Sequence, residues 1–213
     1  MAFNPNNLSL AATFSNSRQI PSFFKEPLDK ISSSIGEMVW AWNYCHSALH
    51  RLFASVVNPQ NLAIGFSIWH AIQNDSTQRD MLLKAARAEL HNDKKLLKQV
   101  EWIHERLTKL AVKRNDVIHL ATAVQVSTAK LIPDPISNRP NRVRRLSGEE
   151  ILSDIHLLRG DLVVMANYIM AIHGKISFDQ NAPTPRKPRL KSIPAVQRKL
   201  KKPANTRKKP TKK

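Results

Sequence analysis

Apolar residues recur every three or four positions over most of this chain, and that spacing admits few architectures. Between Glu26 and Val57, Ile31, Ile35, Met38, Val39, Trp42, Cys45, Leu49, Leu52 and Phe53 share one face of a helix. Asn58-Pro59 ends it, because proline disfavours helical geometry in the residue before it. A second helix is expected over Leu62–Ile72. A third, about Thr77–Leu90, follows the Asp75-Ser76 capping pair. Asn92 or Asp93 caps a fourth, whose apolar series is Leu96, Val100, Ile103, Leu107 and Leu110. From Val126 to Leu146 the pattern fails: Pro133, Pro135 and Pro140 interrupt it, and Arg139, Arg142, Arg144 and Arg145 make it basic. Ser147, with Glu149 and Glu150, opens a last helix carrying Ile151, Ile155, Leu158, Leu162, Met165 and Ile169, with Gly174 as its C-cap. Only 5 glycines are present, too few for an all-β fold with many tight turns or for a glycine-rich nucleotide loop. The expected fold is all-α, an up-and-down bundle of about five helices. It occupies residues 25–178 with a loop at 127–146, between a flexible arm (1–24) and a disordered basic tail (179–213).

Charge divides the chain unevenly. The net charge is +18, yet residues 181–213 hold 13 Lys or Arg and no Asp or Glu. The other 180 residues carry 21 basic and 16 acidic side chains, close to balance. The tail cations come in clusters. Arg186, Lys187, Arg189 and Lys191 form the first; Arg198, Lys199, Lys201 and Lys202 the second; Arg207, Lys208 and Lys209 begin the third. Prolines keep the clusters extended and apart. Such a segment binds phosphates without regard to sequence, through counterion release, so nucleic acid is the expected partner. A merely solubilising tail is the plain alternative. An anionic membrane fits less well, since no amphipathic basic helix or lipidation signal accompanies the charge. Cys45 is the sole cysteine, which excludes an intrachain disulfide and a cysteine-based zinc site and suits a reducing compartment. No signal peptide and no membrane span of ~20 apolar residues is recognised, so a cytoplasmic location is expected.

One stretch breaks the local rules. The stripe Leu96, Val100, Ile103, Leu107, Leu110 steps next to Arg114, which places a permanent charge among apolar side chains. Either the helix ends there and Arg114 snorkels to solvent, or the arginine serves a cleft or a contact. The segment reads Arg114-Asn115-Asp116-Val117-Ile118-His119, with Asn115 and His119 one turn apart. Arg, Asn and His together suit a phosphodiester: one cation, one proton carrier and one orienting amide.

These six residues resemble the signature of the HEPN family (higher eukaryotes and prokaryotes nucleotide-binding): Arg, a polar residue, three to five further residues, then His. HEPN domains are helical bundles of about this size, and Trp69 to Leu83 looks like the helix pair that precedes the motif in some members. The resemblance spans roughly Glu26 to Phe178 and implies an RNA-binding protein, a homodimer, and a metal-independent endoribonuclease site shared across it. It would assign His119 as general acid or base, Arg114 as stabiliser of the charged phosphorane and Asn115 as positioning residue, with no metal and no cofactor. Other HEPN domains only bind or dimerise, and a non-catalytic module using its basic tail on polyanions is the alternative.

Other constellations carry less. His46 and His50, four apart beside Cys45, could hold a metal but have no evident carboxylate partner. Glu101-Trp-Ile-His104 matches half of a di-iron bundle motif and lacks its second copy. Trp40, Trp42, Trp69 and Trp102 sit in helical patterns, as core or interface residues do. Glu37 is a candidate salt-bridge partner for Arg114.

Overall fold

A computed structural model of the chain describes residues 7–9, 22–58, 60–120, 122–125, 130–134, 151–179 and 181–193. Five helices make the body: α1 (Ser22–Val57), α2 (Leu62–His70), α3 (Asp75–Glu89), α4 (Lys94–Ile118) and α5 (Ile151–Ser177). The fold is all-α, as the periodicity predicts. Asn61, Asn74 and Asp93 cap α2, α3 and α4 through side-chain oxygens that accept from the first helical N–H groups. The α3 cap is therefore Asn74, one residue before the expected pair. Gly174 is no cap either. α5 runs through it to Ser177, and the N–H groups of Phe178 and Asp179 both donate to its carbonyl.

In an up-and-down bundle of five helices the first and last point the same way, and here α1 and α5 lie side by side in parallel. Ser34 meets His156 at 3.2 Å, Arg159 meets Glu37 at 2.6 Å, and Ser55 meets His173 at 2.6 Å, both helices ascending together. Between these polar contacts lies the core. Met38, Leu49, Leu52 and Phe53 of α1 pack with Ile155, Leu158, Leu162, Met165 and Ile169 of α5, and all are buried. α4 adds Val100, Ile103, Leu107 and Leu110. Against the expectation from sequence, α5 is long and apolar enough to cross a membrane, with a mean hydropathy of 1.4 over its best window. In this fold its apolar face closes the bundle.

Three short strands, β1 (Asn7–Ser9), β2 (Thr122–Gln125) and β3 (Lys130–Pro133), form an antiparallel ribbon in that order. β1 lies within the expected N-terminal arm and β3 within the expected loop. Pro133 ends an edge strand, a place in a sheet where proline is tolerated. The arginines of the loop, 139 to 145, lie outside the described residues.

The largest departure is at the tail. Residues 181–193 are not detached: they lie extended along the bundle, and Ser192 and Ile193 are buried. Asp161 of α5 holds them, accepting from the N–H of Lys191 at 2.8 Å and of Ser192 at 2.6 Å. Apolar periodicity could not show this, because one buried isoleucine and two backbone bonds leave no repeating pattern. Residues 194–213, with the remaining cations of the tail, lie outside the described residues.

α2 crosses α1 at Gly65, where a Cβ would stand 2.4 Å from Ala54 Cα. Gly65→Ala should therefore lower the stability by about 1–3 kcal/mol through overpacking, read as a lower Tm. Gly36→Ala, at an exposed helical position with nothing within 4 Å, should raise it by up to about 1 kcal/mol.

Candidate functional site

Arg114 turns inward. It occupies the next place in the α4 apolar stripe, and its guanidinium lies 4.5 Å from the centre of the Trp42 ring on α1. Its Nη2 donates to Asp75 Oδ2 at 2.7 Å, at the first residue of α3. Arg79, one turn further along α3, reaches the same carboxylate oxygen at 3.4 Å and lies 6.0 Å from the Trp42 ring. Three helices thus meet on one carboxylate, two guanidinium groups and an indole. Asp75 is the partner of Arg114, and the expectation for Glu37 is corrected: Glu37 pairs with Arg159. Position along the chain decides this, since Glu37 lies more than a turn of α1 from Trp42 and on its exposed side.

The cluster holds more positive charge than its carboxylate neutralises. Arg79 is 4% exposed, and its Nε and Nη1 have no hydrogen-bond partner among the described residues; nor has Nε of Arg114. The Trp42 face takes up part of that deficit. His46 stacks on Trp42 at 6.2 Å, and burial lowers its basicity, with Asp75 opposing and the two arginines reinforcing. His50, packed 4.1 Å from Phe66 and 4.6 Å from His70, is pushed down to about 4, again chiefly by burial. Burial also pushes the Cys45 thiol up to about 12, so this cysteine supplies no thiolate at neutral pH.

The other motif residues lie elsewhere on the helix. Asn115 and His119 are exposed at the end of α4, and the N–H of His119 donates to the carbonyl of Asn115. At about 100° per residue their side chains leave the helix together, well away from the direction of Arg114. The remaining constellations separate. Glu101 pairs with Arg87 and His104 with Asp80, so Glu101 and His104 serve different partners. No group of three or more His, Cys, Asp or Glu fit to hold a metal occurs among the described residues. Trp42 and Trp69 are core residues, whereas Trp40 is 66% exposed and stacks on Tyr44.

The first tail cluster is positioned by the strap at 181–193. Lys187 stands 5.8 Å from the Trp102 ring and donates to the Lys98 carbonyl, and Arg106 stands 5.8 Å from the same ring. Trp102 itself rests edge-on against Tyr168, whose hydroxyl donates to Gln99 at 2.5 Å. Periodicity alone gave no sign that Trp102 and Arg106 would join this cluster. The signal available was the density of cations on both segments.

No protein-family model, curated protein or solved structure matches the chain.

Asp75→Asn removes the carboxylate that both guanidinium groups reach among the described residues and should cost about 1–3 kcal/mol in a denaturant titration, less than a fully buried pair because Asp75 is partly exposed. His46, His50 and His173 are all held below the ordinary histidine value. They stay neutral when folded while the unfolded chain takes up protons, so their contribution is complete above pH ~6.5 and is lost towards the folded value. Tm should fall between about pH 6.5 and 5, and His50→Phe should make that fall shallower; a Tm that rises on acidification contradicts this.

Proposed function

We propose that this chain is an RNA-binding helical module of the HEPN-like type that binds without cleaving. The observation that carries the reading is the run of 13 cations with no carboxylate across residues 181–213, whose first four are laid along the bundle by Asp161. A cation row fixed to a folded body gives phosphate binding without paying the full ordering entropy of a loose tail. RNA as the nucleic acid rests on the resemblance of Arg114 to His119 to the HEPN signature. Binding is preferred over cleavage because phosphodiester chemistry needs the arginine and the histidine on one phosphate, and Arg114 is engaged by Asp75 and Trp42. A homodimer belongs to the same reading. The exposed Trp40 stacks on Tyr44, which bonds Asn167 of α5, and with Val164 one turn before Asn167 also exposed they make a surface of the kind subunit contacts cover.

Fluorescence anisotropy of labelled RNA across a salt series tests the reading. Deleting residues 194–213 removes nine of the 13 tail cations and leaves the strap intact. The plot of log K against log salt should flatten markedly while residual binding persists; an unchanged slope removes the tail from the interaction. RNA should stay intact in EDTA, and His119→Ala should bind as the unaltered chain does. Cleavage that persists in EDTA and vanishes in His119→Ala would replace this reading with the endoribonuclease one.

A further inference from the structure

Where the strap crosses α4 it leaves a cavity of about 700 Å³, lined by Trp102 and Arg106 of the helix and by Lys187, Arg189, Leu190 and Lys191 of the strap. Its lining holds four cations and no carboxylate. Glu105, next to Arg106 in the chain, pairs with Lys109 at 2.6 Å and does not line the cavity. The half-buried Trp102 supplies an aromatic wall and Leu190 an apolar one. These walls are held in place. Asp161 fixes the strap backbone at Lys191 and Ser192, Ile193 plugs into the core just beyond, and Tyr168 braces the Trp102 ring.

We infer that this cavity is a seat for one unpaired nucleotide of a single-stranded nucleic acid. The base stacks on Trp102 beside Leu190, and the flanking phosphates lie on Arg106, Lys187, Arg189 and Lys191. The inference rests on the RNA-binding reading and adds a preference that the tail charge alone does not give. Cations by themselves accept single strands and duplexes alike. An aromatic wall inside a cavity of this size rewards only a base that has left its stack. The volume falls in the range of small-ligand sites, enough for a nucleotide and too small for a duplex. Lys187 and Arg106, now directed at the Trp102 ring, are long side chains that can swing to phosphate as the base takes their place.

The test uses the full chain with a short single-stranded RNA, the same RNA carrying 2-aminopurine, and a duplex of equal length. Single strands should bind about tenfold or more tightly than duplex, with quenching of the 2-aminopurine. Trp102→Leu should remove about that factor from the single strand and leave duplex binding within about twofold, while Trp102→Phe retains most of it. If Trp102→Leu fails to fold, the quenching and the single-strand preference of the unaltered chain still decide the matter. Equal affinity for single strand and duplex without quenching overturns the nucleotide seat and leaves RNA binding standing. Displacement of the oligonucleotide by an equal nucleotide concentration of free nucleoside monophosphate overturns it in favour of a small-molecule site. Failure to bind any RNA overturns both readings.

Discussion

A single carboxylate at the first residue of α3 holds the helical body to its central irregularity. Asp75 accepts from Arg114 of α4 and faces Arg79 of its own helix, and both guanidinium groups lie near the Trp42 ring of α1. Burying one such cation unpaired costs several kcal/mol. Burying two is tolerated only because the carboxylate, the indole face and the partial exposure of Arg114 share the deficit. The contact fixes how three helices meet, and it sets the direction in which Arg114 leaves α4. Asn115 and His119 leave the same helix in other directions and are exposed, whereas Arg114 is engaged by Asp75 and Trp42.

The second constraint is the Asp161 clamp. A Lys- and Pro-rich segment cannot bury enough apolar surface to order itself. Here two backbone N–H groups bonded to a buried carboxylate, followed by Ile193 in the core, anchor its first 13 residues. Charge-assisted bonds of this kind are roughly twice as strong as neutral ones. The consequence is geometric: Lys187, Arg189 and Lys191 of the strap are held with Arg106 around the cavity at Trp102. The tail is thus two things in sequence, a fixed strap and, from residue 194, further cations outside the described residues.

The helices were legible because burial on one face imposes a period on the sequence. The whole series from Leu96 to Leu110 and the whole α5 series from Ile151 to Ile169 are buried as their spacing requires. On α1 the same spacing overreached slightly, since Ile35 and Val39 sit at the edge of the core. Arg114 was legible as an anomaly, but its partner was not. Period tells which face a residue occupies and nothing about which helix lies opposite, so Glu37 and Asp75 were equivalent until the bundle closed. The strap was illegible for a different reason. It is held by one side chain acting on backbone N–H groups, and backbone bonding leaves no residue-type signature at the bonded positions.

On the function proposed above, RNA would lie on the face made by α4, α5 and the strap. Ultraviolet crosslinking of RNA to the full chain, with the attached peptides identified by mass spectrometry, locates it most directly. Adducts at Trp102 and within residues 186–191 are the expected result. Adducts confined to the end of α4 around Asn115 and His119, with none at Trp102 or the strap, would contradict it.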